Sequence, residues 1–248
     1  MKVLSVCGIS NSGKTTTIEN IIRELTRRGY KVGSVKSIHL DTFTIDPDPN
    51  SNTRRHRSAG ADLVTALGMS ETDILFGEKL PVREVLKFYE KDYDWVVMEG
   101  VVDICTPMIV TAHGDEDLAM KFNDMTFCIS GRISGKIEHY RGIPAIDGTS
   151  DIKRLVDLIE LRVYKRLPNF QPECCMACGM TCEEFARAVL HGEKRRADCV
   201  ADKGAMLIIN GQRIDMVPFV QNILKNAVLG IVSELDGYVA EGNIEIRF

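Results

Sequence analysis

The chain has 248 residues, 44% hydrophobic and 27% charged, with a formal net charge of -4. That composition describes an ordinary folded protein and argues against a disordered, fibrous or strongly nucleic-acid-binding one. No run of about 18 apolar residues occurs, and the N-terminus passes straight into a strand-like segment, so a cytoplasmic protein without signal peptide or membrane span is expected.

Residues 2–7 read as a buried strand feeding Gly8-Ile9-Ser10-Asn11-Ser12-Gly13-Lys14-Thr15, a complete G-x-x-x-x-G-K-[ST] loop. Gly8 and Gly13 let the backbone turn, so that amides along Asn11, Ser12, Gly13 and on to Thr16 can face a polyphosphate. Lys14 reaches outer phosphates, and the Thr15 hydroxyl is offered to Mg²⁺. Ile18, Ile21, Ile22 and Leu25 then recur at helical spacing up to Gly29, which sets the phosphate against a helix N-terminus with its partial positive charge.

A second strand is expected over residues 31–38, followed by a long loop over 39–53 that holds three acidic residues and two prolines. Thr53-Arg54-Arg55-His56-Arg57-Ser58-Ala59-Gly60-Ala61 reads as a short basic helix. It is either a solvated face or a surface for phosphates or an anionic pterin-like ligand. A short strand over 73–77, a helix over 81–91 opened by Pro81 and an apolar strand over 95–98 give βαβ alternation. Ligands in open parallel sheets sit at the carboxyl ends of strands, so Glu99 is expected near the loop, holding a Mg²⁺-bound water or orienting an attacking one. The alternative is a plain strand-end residue.

Residues 107–112, 125–130 and 143–147 continue the strands, and a helix N-capped by Ser150 carries Ile152, Leu155, Val156, Ile159 and Val163 on one stripe until Pro168. Residues 168–173 read as a linker. Two domains are therefore expected, 1–168 and 173–248.

The second is marked by cysteine. Of eight cysteines, Cys7, Cys105 and Cys128 are isolated, while Cys174, Cys175, Cys178, Cys182 and Cys199 crowd one region. In a reducing compartment such crowding indicates metal before disulfides. Three clustered ligands, Cys175, Cys178 and Cys182, with Cys199 remote, depart from paired C-x-x-C zinc knuckles and favour a [4Fe-4S] cluster. Structural zinc and buried thiols are the alternatives, and Cys174 competes with Cys175. Thr181-Cys182-Glu183-Glu184 forms a capping box that puts Cys182 in a first helical turn, where a thiolate gains from the dipole. The tail offers an apolar strand, an Asn210-Gly211 hairpin turn, a helix begun by Asp215 and a final strand over 243–247. Val217, Val220, Leu224, Ala227, Val228 and Ile231 form a stripe expected to pack in a core, with a dimer face as the alternative.

Several of these segments together resemble the MobB family, the P-loop GTP-binding adaptors of molybdopterin guanine dinucleotide biosynthesis. Val35-Lys36-Ser37-Ile38-His39 is similar to that family's Ile-Lys-His-x-His strand end, and Phe43-Thr44-Ile45-Asp46 to its Phe-x-x-Asp. The basic segment resembles Ser-x-Arg-His-x-x-Ala-Gly-Ala, Met98-Glu99-Gly100 resembles Val-Glu-Gly, and Gly142-Ile143-Pro144 resembles a late strand. The chain departs from the pattern at Asn50-Ser51-Asn52, where the family has Gly-Lys-Asp, and at Ser37, where it has His. The cysteine segment is similar to the small four-iron domain of electron-transfer and corrinoid iron-sulfur proteins, with three residues between its second and third cysteines where some have four.

The resemblance implies an α/β P-loop NTPase fold, a mainly parallel sheet with helices on both faces, joined to a small α+β metal-binding domain. It implies GTP with Mg²⁺, weak GTPase activity, and a homodimer that serves molybdopterin or its biosynthetic enzyme, or a molybdenum- or tungsten-dependent oxidoreductase. Lys14, Asp46 and Glu99 are the implied catalytic residues, with Lys36, Arg55 and His56 among the cofactor-binding ones. No Asn-Lys-x-Asp guanine-reading motif occurs, which leaves ATP open. The rival readings are an ATP-dependent electron-transfer or metallocentre-insertion protein and a nucleotide-binding module with structural zinc.

Overall fold

The computed structural model describes residues 1–39, 43–103, 105–168, 170, 175–209, 212–239 and 244. The linker beyond 168 apart from residue 170, Cys174, the Asn210-Gly211 turn and all of the expected final strand except Ile244 lie outside them.

Strand β1 (Lys2–Gly8) leads into helix α1 (Lys14–Arg27), strand β2 (Val32–Lys36), helix α2 (Asn52–Ser58), and strands β3 (Leu63–Leu67) and β4 (Thr72–Phe76). Helix α3 (Val82–Lys87), strands β5 (Trp95–Glu99) and β6 (Met108–Thr111), helix α4 (Asp115–Lys121) and strand β7 (Thr126–Ser130) follow. Then come the short strands β8 (His139–Tyr140) and β9 (Ile143–Pro144), helix α5 (Ile152–Arg162), helix α6 (Cys182–Leu190), strands β10 (Leu207–Ile209) and β11 (Gln212–Ile214), and helix α7 (Pro218–Val232).

The main sheet runs β2-β5-β1-β6-β7 and is parallel throughout. Strands β1, β5, β6 and β7 are buried on both faces, as continuous apolar runs require, while the edge strand β2 is partly exposed. Alternation along β1 sends Leu4 and Val6 into the large cluster built with Ile18, Ile21 and Leu25 of α1 and Leu155, Val156 and Ile159 of α5. Val3 points the other way, to Leu86 of α3, Val96 and Met98. Helices therefore flank the sheet on both faces. Each fully buried leucine or isoleucine contributes about 1.5–3 kcal/mol.

An ion-pair lock ties α1 to α5. Arg27 and Arg28 both bond Glu24, and Arg28 also reaches Asp157 at 2.7 Å and Glu160 at 2.5 Å. The large cluster continues through Tyr164 and Leu167 into Phe185, Ala186, Leu190, Cys199 and Ala201.

Several sequence expectations need correction. The strand over 73–77 does not join the main sheet: β4 pairs antiparallel with β3, a strand that propensity did not announce. The helix over 81–91 shortens to α3, with Pro81 as its N-cap. The segment over 143–147 forms only the two-residue β9 ladder and one parallel bridge, Ile129 to Ala145. Asp151, not Ser150, precedes α5 as N-cap, without a side-chain bond, and α5 ends at Arg162, six residues before Pro168.

Helix α7 begins with Pro218 after Val217, so Asp215 does not cap it. Its apolar stripe is not a core: Gln221 is the helix's one buried residue among those described, while Val220 is 42% and Ile231 70% exposed. Gln221 instead bonds the carbonyls of Ala201 and Met216, both at 2.7 Å. No helix among the described residues is long and apolar enough to cross a membrane.

Candidate functional site

The loop between β1 and α1 adopts a phosphate-cradle shape for local reasons. Gly13 sits at φ 100° and caps α1, a conformation that costs a side-chain-bearing residue energy. Ser12 is fully buried, its hydroxyl donating to the Ile9 carbonyl at 2.8 Å and lying 2.7 Å from the Thr111 hydroxyl on β6. Lys14 folds back so that Nζ donates to the Ile9 carbonyl, and burial is the first cause of its lowered pKa.

No strand separates β1 from β5, so the carboxyl end of β5 stands beside the loop. Thr15 Oγ1 donates to Glu99 Oε1 at 3.2 Å, and Lys36 Nζ, at the end of β2, lies 3.4 Å from the same oxygen. The first turn of α1 and the ends of the adjacent strands β5 and β2 thus deliver a hydroxyl, a carboxylate and a cation to one point. The loop opens on a cavity of about 790 Å³, lined also by Ser37, His39, Lys121 and Arg132.

Gly8, Asn11, Gly13, Lys14, Thr15, Thr16 and Glu99 all line this cavity as expected. Ser12 supports it from beneath, and Lys36 reaches it through Glu99. Asp46 does not line it. Its carboxylate accepts from the Ser51 and Thr53 hydroxyls, and these bonds hold it below the usual carboxylate range. Ser51 in turn caps α2 by accepting from the Arg54 amide. Asp46 therefore organises the basic helix. Arg54 and Arg57 line a second cavity, of about 870 Å³, between α2 and the β3–β4 hairpin. Arg55 and His56 are exposed and line neither.

Sequence reasoning missed the far wall of the phosphate cavity. His113, just past β6, places Nε2 2.9 Å from the Asn11 carbonyl, and its backbone amide donates to Asp117 of α4 at 2.8 Å. Arg132 follows Gly131, whose φ of 76° and close approach to the Ser12 carbonyl exclude a side chain. The Arg132 amide donates to that carbonyl at 3.1 Å. Only the glycine after an apolar strand hinted at this contact.

Cys175, Cys178, Cys182 and Cys199 line one small apolar pocket with Phe170, Met180 and Phe185. The capping box at α6 is present: the Glu184 amide donates to Thr181 Oγ1 at 3.1 Å and the Thr181 amide to Glu184 Oε2 at 2.8 Å. Burial pushes the Cys182 thiol up, and the nearby Cys175, Cys199 and Cys178 add to it. Among the described residues no three potential ligands converge on a single ion. Cys105 and Cys128 lie apart from the pocket, pushed up to about 12 by burial.

A glycine loop that closes on a helix N-terminus, with a carboxylate delivered by the adjacent parallel strand, defines a P-loop NTPase-like α/β protein. The family model for MobB, molybdopterin guanine dinucleotide synthesis protein B, matches residues 3–126, half of the chain, and the chain belongs to that family. A Methanocaldococcus jannaschii protein described as a putative molybdopterin-guanine dinucleotide biosynthesis adapter protein is 28% identical, covering 96% of this chain and 93% of its own. A Bacillus subtilis protein described as a probable adapter of the same kind is 24% identical, covering 57% and 83%. The crystal structure of Bacillus subtilis MobB superposes with a TM-score of 0.54 at 24% identity, covering 67% of this chain and 100% of that one, a likeness of fold.

Proposed function

We propose that the chain is an adaptor in molybdopterin guanine dinucleotide biosynthesis or insertion, for molybdenum or tungsten, in which residues 1–168 bind GTP·Mg²⁺ and residues 173–248 hold a [4Fe-4S] cluster. The observation that carries the nucleotide reading is the contact of Thr15 with Glu99 beside an intact P-loop. A hydroxyl and a carboxylate are hard oxygen donors that fit Mg²⁺. When bound, Mg²⁺ neutralises phosphate charge and orients the outer phosphates. Lys14 exchanges its bond to the Ile9 carbonyl for phosphate oxygens, and Lys36 holds Glu99 aimed at the site.

Glu99 is the one carboxylate among the described residues lining the cavity. A single group positioned both for the cation and for water supports slow hydrolysis, in keeping with a nucleotide-dependent adaptor. Arg54 and Arg57, in the second cavity, suit the phosphate of a pterin cofactor or of its biosynthetic enzyme's substrate. A homodimer, and docking to a molybdenum- or tungsten-dependent oxidoreductase, complete the proposal.

For the cysteine pocket, four soft thiolate donors in an apolar setting fit an iron-sulfur cluster. The cluster would supply reversible one-electron chemistry. Phe170 and Phe185 would exclude water from it, and the α6 N-terminus would favour the Cys182 thiolate.

Titration with GTP and ATP, each with Mg²⁺, tests the nucleotide reading. ATP binding at least about tenfold tighter would replace it with an ATP-dependent electron-transfer or metallocentre-insertion role. Anaerobic purification with iron and zinc analysis tests the other half: a colourless protein carrying one zinc sinks the cluster.

A further inference from the structure

The phosphate cavity holds more positive charge than its glycine-loop motif explains. Lys14 belongs to the motif, and Lys36 is paired with Glu99 at 3.4 Å. Two further cations line the cavity on the β6–β7 side, across from Glu99: Lys121, the last residue of α4, and Arg132, two residues past the end of β7. Both are exposed, and among the described residues neither is paired with a carboxylate.

Their placement is fixed by contacts to the loop itself. The Arg132 amide donates to the Ser12 carbonyl at 3.1 Å, and the left-handed Gly131 permits that approach. His113 binds the Asn11 carbonyl with its ring and Asp117 with its amide, so α4 is tied to the loop and carries Lys121 to the cavity edge. The charge of Lys121 is felt at Lys14: burial first, then Lys121 and Lys36, lower that ammonium's pKa against the opposing pull of Glu99. Gathering like charges around one cavity is unfavourable until an anion enters.

We propose that Lys121 and Arg132 form a cationic flank for the terminal phosphate, so that the site selects a nucleoside triphosphate over the diphosphate. The proposal rests on the nucleotide reading above and adds which phosphate is sensed, and by which residues. The Lys36–Glu99 pair is neutral, so Lys14 alone balances a Mg²⁺-bound diphosphate. A triphosphate carries one more negative charge, which needs a further cation. Arg132 offers a planar fork for two phosphate oxygens, and Lys121 a point charge. Many P-loop proteins receive such a cation from a partner; here the same chain supplies it.

The test compares binding of Mg²⁺ with a non-hydrolysable GTP analogue and with GDP, by calorimetry, in wild type, Arg132→Ala, Lys121→Ala, the double variant and Arg132→Lys. The expected result is a loss of about tenfold or more in triphosphate affinity for Arg132→Ala, with GDP changed by less than about threefold and partial recovery in Arg132→Lys. Lys121→Ala loses less, and the double variant erases the preference for the triphosphate. Unchanged thermal unfolding confirms that these surface substitutions leave the fold intact. Parallel losses for both nucleotides, or no loss for either, overturn the flank while leaving the P-loop reading standing. Wild-type protein that binds neither nucleotide, or a Lys14→Ala variant that binds as well as wild type, removes the P-loop reading and the flank with it.

Discussion

Thr15 Oγ1 and Glu99 Oε1 lie 3.2 Å apart, although 84 positions separate them in the chain. The register of β1 with β5 causes this, since Val6 stands opposite Glu99 and no strand intervenes. This hydroxyl and carboxylate are the pair that the proposed function assigns to Mg²⁺. Glu99→Gln keeps the shape and the hydrogen-bond acceptor but loses the charge, so the Mg²⁺-dependent part of nucleotide affinity falls by about tenfold or more while binding in chelator is unchanged. Nucleotide titrations with and without Mg²⁺ measure it, and equal losses under both conditions would count against a cation role for Glu99.

Gly131 gives a second, purely steric prediction. A Cβ there meets the Ser12 carbonyl in a left-handed backbone. Gly131→Ala costs about 1–3 kcal/mol and loosens the phosphate loop. Urea unfolding reads the first effect and nucleotide titration the second. Gly135→Ala, where an added Cβ meets nothing, is the control and changes neither.

The Glu24 carboxylate, bonded by Arg27 and Arg28, is held at about 2, against an ordinary value of 4.5. A depressed carboxylate contributes stability above its unfolded value and loses it as the pH falls toward its folded one. The stability that the Glu24 pairs lend to the end of α1 therefore falls as acid is added from 4.5 toward about 2. Glu24→Gln removes that contribution, so its urea midpoint lies below that of wild type at neutral pH, and the gap narrows on acidification through this window. A gap independent of pH would assign the effect to packing.

Under the cluster proposal, the four pocket cysteines are ligands and the remaining buried cysteines are bystanders. Cys178→Ser and Cys199→Ser abolish iron-sulfur absorbance and bound iron in anaerobically purified protein, whereas Cys128→Ser, buried in β7 away from the pocket, leaves both unchanged. Loss of iron in Cys128→Ser to the same degree would mean that the substitutions act through folding.

What sequence disclosed followed the range of the forces involved. The strand-loop-helix of residues 2–27 and the Thr181 capping box depend on neighbours a few positions apart, and both stand as expected. Glu99 was legible because an all-apolar strand states where its carboxyl end lies. The β3 strand was not, since only Val64 in it is buried and alternation is weak. The stripe on α7 showed a face but could not say what covers it, and the described structure leaves most of it exposed. His113, Lys121 and Arg132 sit in no motif: their significance comes from the order of β6 and β7 beside β1, a long-range fact that local pattern does not encode.

Every described residue lining the phosphate cavity falls between Cys7 and Arg132. The apparatus is thus a portable cassette, complete before the chain reaches its cysteine-bearing end. A lineage can append or shed that end without rewriting the cassette, provided that Tyr164 and Leu167, which now pack in one cluster with Phe185 and Leu190, are covered again. Selection can then act on the two ends separately, and a relative that has lost the cysteines need not have lost the glycine loop.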